Sequence, residues 1–346
     1  MNNYEFLEHY IIPSKLLNKL TKVYLKLGSM NVESLGKNEE KIFKEIALTK
    51  DAIAIGKLLH LDINDSRIKQ LIESNITPKS QKEQVIKNIK PTLLLMNKDV
   101  QNFSLNPSEV IGYINNILCN KKIKYSEALF KEVENKKVNS YSVRFLINHS
   151  FDQFDEYITN EKYEKIILSS ILFINFFNYQ PLSDYNELGS LITLYYSLLR
   201  NQIEIVKYIS FFERIVERFN DLRKLLLSTK VNFSNSFLDP TDVIYFILDI
   251  IDSELNEFNE TIKKIRYKNK GLKSDNIILT ILRLPDIFTK DDIRATNPDV
   301  SDATINRALI SLRDNELIMP LGTGRSAKWK KINENIEKMD LSKLLG

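Results

Sequence analysis

The sequence predicts a mainly α-helical fold. Only 9 Gly and 9 Pro occur among 346 residues, so few positions interrupt a helix. Apolar residues, many of them Leu and Ile, recur at helical spacing along most of the chain, whereas strand-like alternation is confined to short segments. A chain of this length is expected to fold as two or three domains with sizeable hydrophobic cores.

The central stretch, residues 163–200, organises the predicted fold. Residues 166–177 are apolar on every side apart from two serines and one asparagine, which is typical of a helix buried at the centre of a domain. This run is too short to cross a bilayer, which requires about 20 apolar residues. A polar break at 178–186 leads to a second predicted helix. Its apolar residues at helical spacing are Leu188, Leu191, Ile192, Tyr195, Leu198 and Leu199.

Amphipathic helices are predicted on both sides of this central pair. Ser14 is a candidate N-cap and Gly28 a candidate stop for the first of them, and Pro91 is predicted to cut the third. Alternating residues at 138–147 (VNSYSVRFLI) predict a strand that forms half of a hairpin. The predicted helices lie at 14–27, 38–54, 80–96, 106–119, 151–159, 210–228 and 239–270.

Beyond Gly271 the predicted elements are shorter. Ser274, Thr289 and Ser301 are candidate N-caps for three successive helices. The predicted elements are helices at 275–284, 290–295 and 302–316 and strands at 317–320 and 327–332, with a turn between the strands. Three short helices followed by a hairpin are the order of a winged helix-turn-helix domain.

The basic excess of the chain lies in this C-terminal part. Residues 261–346 hold 17 Lys and Arg against 11 Asp and Glu, a net charge of +6, whereas the rest holds 32 against 34, a net charge of −2. We therefore expect contact with DNA here, the third helix lying in the major groove and the wing contacting phosphates. The candidate DNA-binding residues are Thr304, Asn306, Arg307 and Arg313 on the helix and Arg325, Ser326 and Lys328 in the wing. The alternative is a winged helix that docks a protein or mediates dimerisation.

Several classes of protein are disfavoured by composition. Cys119 is the single cysteine, which excludes a disulfide framework and a cysteine-based zinc site. His9, His60 and His149 are scattered, so a histidine metal cluster is not expected. The first ten residues contain acids and no apolar run, so no signal peptide is expected. We expect a cytoplasmic protein without a membrane segment.

The central loop and its flanks, ILFINFFNYQPLSDYNELGSL, resemble the Fic (filamentation induced by cAMP) family. The motif of that family is His-x-Phe-x-Asp/Glu-Gly-Asn-Gly-Arg-x-x-Arg after a buried helix. Segments 12–28, 45–56 and 138–147 are similar to its N-terminal helix, its inhibitory helix and its flap hairpin. The resemblance implies a Fic-type helical bundle with a small β-hairpin flap, followed by a winged helix. The usual activity of the family is the transfer of AMP from ATP to a hydroxyl group of a target protein.

Matched residue by residue, the catalytic positions of the motif are altered. Gln180 stands where the family has its catalytic His, and a neutral amide does not accept the proton of a target hydroxyl near neutral pH. Asp184 stands at the carboxylate that holds magnesium, and it is the one candidate metal ligand. Asn186 keeps the Asn of the motif.

The phosphate-binding positions of the motif are altered as well. Tyr185 and Glu187 replace the two glycines whose backbone N–H groups surround phosphates at a helix N-terminus. The Glu187 carboxylate adds negative charge where polyphosphate would lie. Leu188 and Leu191 replace the two arginines, which removes the cations that bind phosphate. Together these changes predict a degenerate active site.

The segment that resembles the inhibitory helix is altered in parallel. Its family pattern is Ser/Thr-x-x-x-Glu-Gly/Asn, and the Glu pairs with the second arginine of the motif. An alignment on Gly56 places Ile55 at this Glu and Asp51 at the Ser/Thr. We therefore expect Ile55 to face Leu191, an apolar contact in place of an ion pair.

Three functions follow from this sequence. The first is a catalytically degenerate Fic-fold protein that regulates transcription by binding DNA, with no nucleotide cofactor expected. The second is an AMP transferase with a non-standard active site that uses ATP and Mg, the metal held by Asp184. The third is a protein-interaction module with a protein partner or a homodimer. The predicted domains are an N-terminal helical region at 1–100, a Fic-like core at 101–270 and the winged helix at 271–346.

Overall fold

A computed structural model of the protein divides into two compact units, Met1–Glu257 and Phe258–Gly346. It describes residues 4–30, 37–74, 76–100, 106–119, 121–134, 137–233, 238–268, 273–298, 300–322 and 327–332. The division within the first unit, at residue 100, stays a prediction.

The first unit is built of helices and one β-hairpin, so the prediction of a mainly α fold is confirmed. Its helices are α1 (Ser14–Ser29), α2 (Lys37–Leu58), α3 (Asp65–Glu73), α4 (Gln81–Asp99), α5 (Pro107–Leu118), α6 (Val143–Thr159), α7 (Lys165–Tyr179), α8 (Asn186–Arg200), α9 (Phe211–Glu217), α10 (Phe219–Phe233) and α11 (Thr241–Lys268), the last of which continues into the second unit. The hairpin consists of β1 (Leu129–Glu134) and β2 (Lys137–Ser142), paired antiparallel.

Helix α7 lies at the centre of this unit, as its apolar sequence predicts. Every side chain from Ile166 to Tyr179 is buried, and α7 packs against α6, α8 and α10. The Glu164 carboxylate starts the helix by accepting hydrogen bonds from the backbone N–H groups of Ile166 and Ile167 at 2.9 and 2.6 Å. None of the described helices combines the length and the apolar content needed to cross a bilayer.

Helix α8 approaches α7 closely at Gly189. A Cβ atom at this position would lie 2.8 Å from Cε1 of Phe176 and 2.9 Å from Cδ1 of Leu182, both of which are buried. These distances are shorter than van der Waals contact, so a side chain at 189 would force Phe176 and Leu182 to shift. The absence of a side chain at this position sets how near the start of α8 lies to the end of α7.

Several predictions of local structure are wrong. Ser14 is the first helical residue of α1 and not its N-cap, which is Pro13, and the helix runs past Gly28 to Ser29. Ser274 lies inside α12, and the helix predicted over 210–228 is divided into α9 and α10. The strand predicted over 138–147 ends at Ser142, and residues from Val143 onward form the first turns of α6. Val143, Leu146 and Ile147 are buried at helical spacing, and this packing overrides the short alternation. Pro91 does not cut α4 but lies inside it on an exposed face.

The second unit contains short helices and a small antiparallel sheet. Its elements are α12 (Lys273–Arg283), β3 (Ile287–Phe288), α13 (Lys290–Thr296), α14 (Asp302–Asp314), β4 (Ile318–Pro320) and β5 (Trp329–Lys331), with the strand order β3-β5-β4. Thr289 and Ser301 cap α13 and α14 as predicted. The two-residue strand β3 was not predicted. The predicted order of three helices and a hairpin is therefore present.

We expect Gly189→Ala to destabilise the protein by about 1–3 kcal/mol, because the added methyl group overpacks the contact between α7 and α8. Urea denaturation followed by circular dichroism measures this change. The matched control is Gly112→Ala in α5, where an added Cβ meets no heavy atom within 4 Å. It should raise the free energy of unfolding by up to about 1 kcal/mol. Equal effects of the two substitutions would contradict the close approach at Gly189.

Candidate functional site

The loop between α7 and α8 begins and ends with residues in the left-handed backbone region. Gln180 ends α7 with φ 48° and ψ 59°, and its side chain is exposed. Tyr185 precedes α8 with φ 59° and ψ 33°. A residue with a side chain is less stable in this conformation by about 1–2 kcal/mol. The surrounding contacts therefore hold the loop in a shape that its own residues do not favour.

Backbone hydrogen bonds tie this loop to the segment that leads into the hairpin. Ser126 N–H donates to the Pro181 carbonyl at 2.7 Å, and Ser183 N–H donates to the Lys124 carbonyl at 2.9 Å. Between these two bonds, Leu182 points into the core and is 2 % exposed. The loop is therefore fixed to the base of the hairpin by main-chain contacts, which do not depend on the identity of its side chains.

Asn186, the motif asparagine, closes the loop from the other side. Its side-chain oxygen accepts from the Leu182 backbone N–H at 2.9 Å, and its side-chain N–H donates to the Leu182 carbonyl at 2.9 Å. Both hydrogen-bonding groups of the amide are thus used on the backbone of one residue. The role of Asn186 in this structure is to hold the loop against the first turn of α8.

The two carboxylates of the loop are paired with cations from outside it. Nζ of Lys121 lies 3.5 Å from Oδ2 of Asp184 and donates a hydrogen bond to the Tyr185 hydroxyl at 2.8 Å. Nε of Arg223, on α10, lies 3.2 Å from Oε1 of Glu187 at the start of α8. Both pairs are exposed to solvent. The charges at the mouth of the loop therefore balance locally.

Sequence reasoning missed both of these cations. Lys121 lies in a lysine-rich stretch that predicts only a solvated surface, and Arg223 lies far along the chain on a helix with many charges. Neither residue stands at a spacing that points to the loop, so only the three-dimensional fold brings them there.

The two leucines at the arginine positions of the motif lie in the core. Leu188 is 1 % exposed and Leu191 is 0 % exposed, and both belong to the apolar side of α8. Their burial matches the prediction that these positions serve packing. An arginine at either position would be buried, and among the described residues no carboxylate is placed to pair with it. Such a buried and unpaired cation has a large desolvation cost.

Helix α2 places a buried carboxylate at the start of α9. Asp51 is 2 % exposed and accepts from the Ser210 hydroxyl at 2.7 Å and from the Phe212 backbone N–H at 2.8 Å. It thereby caps α9 from a distant part of the chain. Ile55, one turn further along α2, is also buried. Helix α2 packs mainly against α9, α4 and α3, so the expected contact between Ile55 and Leu191 stays a prediction.

A second buried carboxyl group lies near Asp51. Burial raises the pKa of Asp51 to about 8, although its hydrogen bonds act in the opposite direction. Burial, with repulsion from Glu257 and Asp51, raises the pKa of Glu254 to about 10. The oxygens of Glu254 accept no hydrogen bond from the described residues, and Nε of Arg214 lies 3.5 Å away. Burial therefore favours the protonated form of both carboxyl groups.

Two solved structures share this arrangement of helices. A Fic family protein from Desulfovibrio desulfuricans G20 matches with a TM-score of 0.54 and 13% sequence identity, over 94% of this chain and 98% of that one. A Fic domain containing signaling protein from Bacteroides thetaiotaomicron VPI-5482 matches with a TM-score of 0.54 and 13% identity, over 69% of this chain and 95% of that one. This chain has the Fic fold.

The Fic fold was predicted from the sequence, and the prediction is confirmed. No protein-family model and no curated protein sequence matches the chain. At 13% identity the structural matches show the fold alone. The functions of the loop and of the second unit therefore depend on the residues that this chain places there.

The candidate DNA-binding residues of α14 differ in their contacts. Arg307 is exposed, and among the described residues it has no carboxylate partner. Arg313 is exposed as well, but its guanidinium donates to Oδ1 of Asp314 at 3.0 and 2.8 Å. Asn306 is half-buried, and the hydroxyl of Thr304 lies 2.9 Å from the capping hydroxyl of Ser301. Arg307 is therefore the most available cation of this helix.

The predicted wing is described only in part. Lys328 is exposed and has no carboxylate partner among the described residues, whereas Arg325 and Ser326 lie outside them. Asp302, at the start of α14, is paired with Arg294, whose guanidinium donates to both carboxylate oxygens at 2.8 and 2.7 Å and also to Oδ1 of Asp291 at 2.6 Å. This shared cation offsets part of the repulsion that Asp302 would exert on a phosphate nearby.

We expect the free energy of unfolding to fall as the pH rises from about 5 to 8, because Asp51 takes up a proton on folding. Its pKa is raised from 3.8 to about 8, so the native state binds more protons than the unfolded state in this window. Asp51→Asn keeps an acceptor for Ser210 and Phe212 without titrating, and the slope should become shallower. Part of the slope should remain in this variant, because the pKa of Glu254 is raised as well.

Urea denaturation at several pH values measures this slope. Asp51→Ala is the matched control, because it removes the acceptor and should lower stability at every pH. The same slope in wild type and Asp51→Asn would contradict a raised pKa of Asp51.

Proposed function

We propose that this chain is a cytoplasmic Fic-fold protein that no longer transfers AMP and that regulates transcription by binding DNA through residues 271–346, a winged helix. The observation that carries the first part is the burial of Leu188 and Leu191 at the two arginine positions of the motif. A phosphate clamp requires two cations at the mouth of the loop, and these positions instead supply the hydrophobic core.

The other loop residues support the loss of ATP and magnesium binding. Asp184, the one candidate metal ligand, is exposed, and its carboxylate faces the ammonium group of Lys121. Glu187 presents a carboxylate at the N-terminus of α8, where a phosphate would require positive charge. These residues do not fit a triphosphate with its metal ion.

The DNA-binding part of the proposal is supported by the charges of the second unit. Residues 261–346 carry a net charge of +6, and Arg307 and Lys328 are exposed without a carboxylate partner among the described residues. The acid nearest the N-terminus of α14, Asp302, is already paired with Arg294. A helix that carries an available arginine suits the major groove, where arginine binds guanine.

One observation favours the alternative of an AMP transferase with a non-standard site. Lys121 and Arg223 place two cations beside the loop that the motif does not provide. A triphosphate that displaced Asp184 and Glu187 from these cations would find partial neutralisation there. We rank this alternative second because each cation is already held by a loop carboxylate.

We expect no transfer of label from α-labelled ATP to proteins of a cell lysate, with magnesium present, because the loop lacks both a base and a phosphate clamp. Gln180→His should not restore transfer, since the leucines at 188 and 191 remain buried. Calorimetry should detect no ATP binding with or without magnesium. Transfer that disappears in Asp184→Ala would overturn the proposal and establish the alternative.

We expect the purified chain to bind duplex DNA, and Arg307→Ala to weaken binding by about 1–3 kcal/mol, the value of one good base contact. Arg313→Ala is the matched comparison and should cost less, because Asp314 already holds that guanidinium. Fluorescence anisotropy over a range of salt concentrations measures both. Lys328→Ala should reduce the salt slope by about 1 if this lysine contacts a phosphate. An absence of binding at low salt would refute DNA binding.

A further inference from the structure

The small sheet of the second unit has one face in the core and one in solvent. Phe288, Ile318 and Trp329 point inward and belong to the core cluster with residues of α12, α13 and α14. The neighbouring residues point outward because side chains alternate along a strand. The strand register aligns Ile287 and Met319 on either side of Lys330, so these three residues form one row across the sheet.

Two further hydrogen bonds extend this outward row in both directions. Leu321 N–H donates to the Lys328 carbonyl at 2.7 Å, and Ile332 N–H donates to the Leu317 carbonyl at 3.0 Å. Leu321 and Ile332 are two residues beyond Met319 and Lys330 respectively, so they lie on the same side. We call this surface the outer sheet face. Its residues are Ile287, Met319, Leu321, Lys328, Lys330 and Ile332.

The outer sheet face is strongly apolar for a surface in water. Ile287 is 50% exposed, Met319 42%, Leu321 47% and Ile332 50%. Single exposed aliphatic side chains are common, but here four of them surround Lys328 and Lys330 on one side of a small sheet, and such a grouping marks a candidate interaction surface. A partner that covers these side chains would remove apolar surface from water, and this burial favours binding.

Lysines complete the outer sheet face, and their charge is available. Lys328 and Lys330 are exposed and have no carboxylate partner among the described residues. Lys331 differs, because it turns to the inner side, where its Nζ donates to the carbonyls of Leu282 and Leu284 at 3.0 and 2.7 Å and closes the end of α12. Of the two lysines in β5, Lys331 therefore has a structural role, whereas Lys330 is exposed on the outer sheet face.

We propose that the outer sheet face docks an amphipathic helix of a partner protein, whose apolar stripe is bordered by Asp and Glu. Three strands spaced by about 4.8 Å make a row about 10 Å wide, close to the diameter of one helix, which is about 10–12 Å. Lys328 and Lys330 rise from the middle of the sheet, and their long side chains can extend to its edge. Acidic residues at the edge of the helix would pair with them there, while its apolar residues cover Ile287 and Met319. This inference does not depend on DNA binding.

Two other occupants suit the outer sheet face less well. A second copy of the chain would bring four lysines together without a carboxylate to separate them. DNA phosphates would meet Lys328 and Lys330, but the four aliphatic side chains would gain nothing from a phosphate backbone. The exposed Arg307 also lies on α14, which packs against the inner side of the sheet through its buried residues.

Methyl NMR on the full chain, with isoleucine methyl groups labelled, tests the proposal. The probe is a synthetic helical peptide with a leucine stripe bordered by glutamates, and the control peptide has the same stripe bordered by lysines. We expect the glutamate peptide to shift the signals of Ile287 and Ile332 to saturation. The internal control is Ile310, which is 47% exposed on α14 and should not shift. The lysine peptide should bind at least about tenfold more weakly.

Charge reversal at the outer sheet face gives a second measurement. Lys330→Glu should reverse the preference between the two peptides, and Lys330→Gln should reduce it without reversal. Equal binding of both peptides, or no shift at Ile287 and Ile332, would overturn the proposal. So would shifts of these signals on raising the protein concentration alone, which would identify a second copy, or on adding duplex DNA instead of peptide.

Discussion

The close packing of α8 against α7 is the constraint on which the first unit depends. At Gly189 no side chain separates the two helices, and the loop between them must reverse the chain within a few residues. Both Gln180 and Tyr185 adopt left-handed backbone conformations to achieve this reversal. The motif that this segment resembles has a glycine at the second of these positions, where this chain has a tyrosine. Packing and main-chain hydrogen bonds hold Tyr185 in this conformation.

The same constraint explains why charge is distributed as it is around the loop. Positions 188 and 191 point into the helix pair, so a cation there needs a ligand or a buried acid to offset its desolvation. With leucines at both positions, that need disappears, and the remaining acids, Asp184 and Glu187, turn outward to Lys121 and Arg223. The charges of the loop are thus paired at its surface, above an apolar interior that contains Leu188 and Leu191.

The features that the sequence predicts are those encoded over neighbouring residues. The buried helix α7 and the caps of α13 and α14 follow from apolar runs and from side chains within three residues of a helix start. The strand predicted over 138–147 is too long because five residues of alternation also fit the first turns of a helix. Contacts between distant segments carry no such local pattern. The cap that Asp51 provides for α9 spans about 160 residues, and its raised pKa comes mainly from burial, with repulsion from Glu213 acting in the same direction.

Net charge describes the second unit less well than the pairing of individual charges does. Arg294 is held by Asp302 and Arg313 by Asp314, so neither contributes a full positive charge to a partner. Arg307 and Lys330 remain open, and they lie on opposite sides of the core, one on a helix and the other on the outer sheet face. The two candidate surfaces share one residue, Lys328, which is both a candidate phosphate contact and part of the outer sheet face. DNA and a protein partner would therefore compete for Lys328, whereas Arg307 and Lys330 each belong to one surface only.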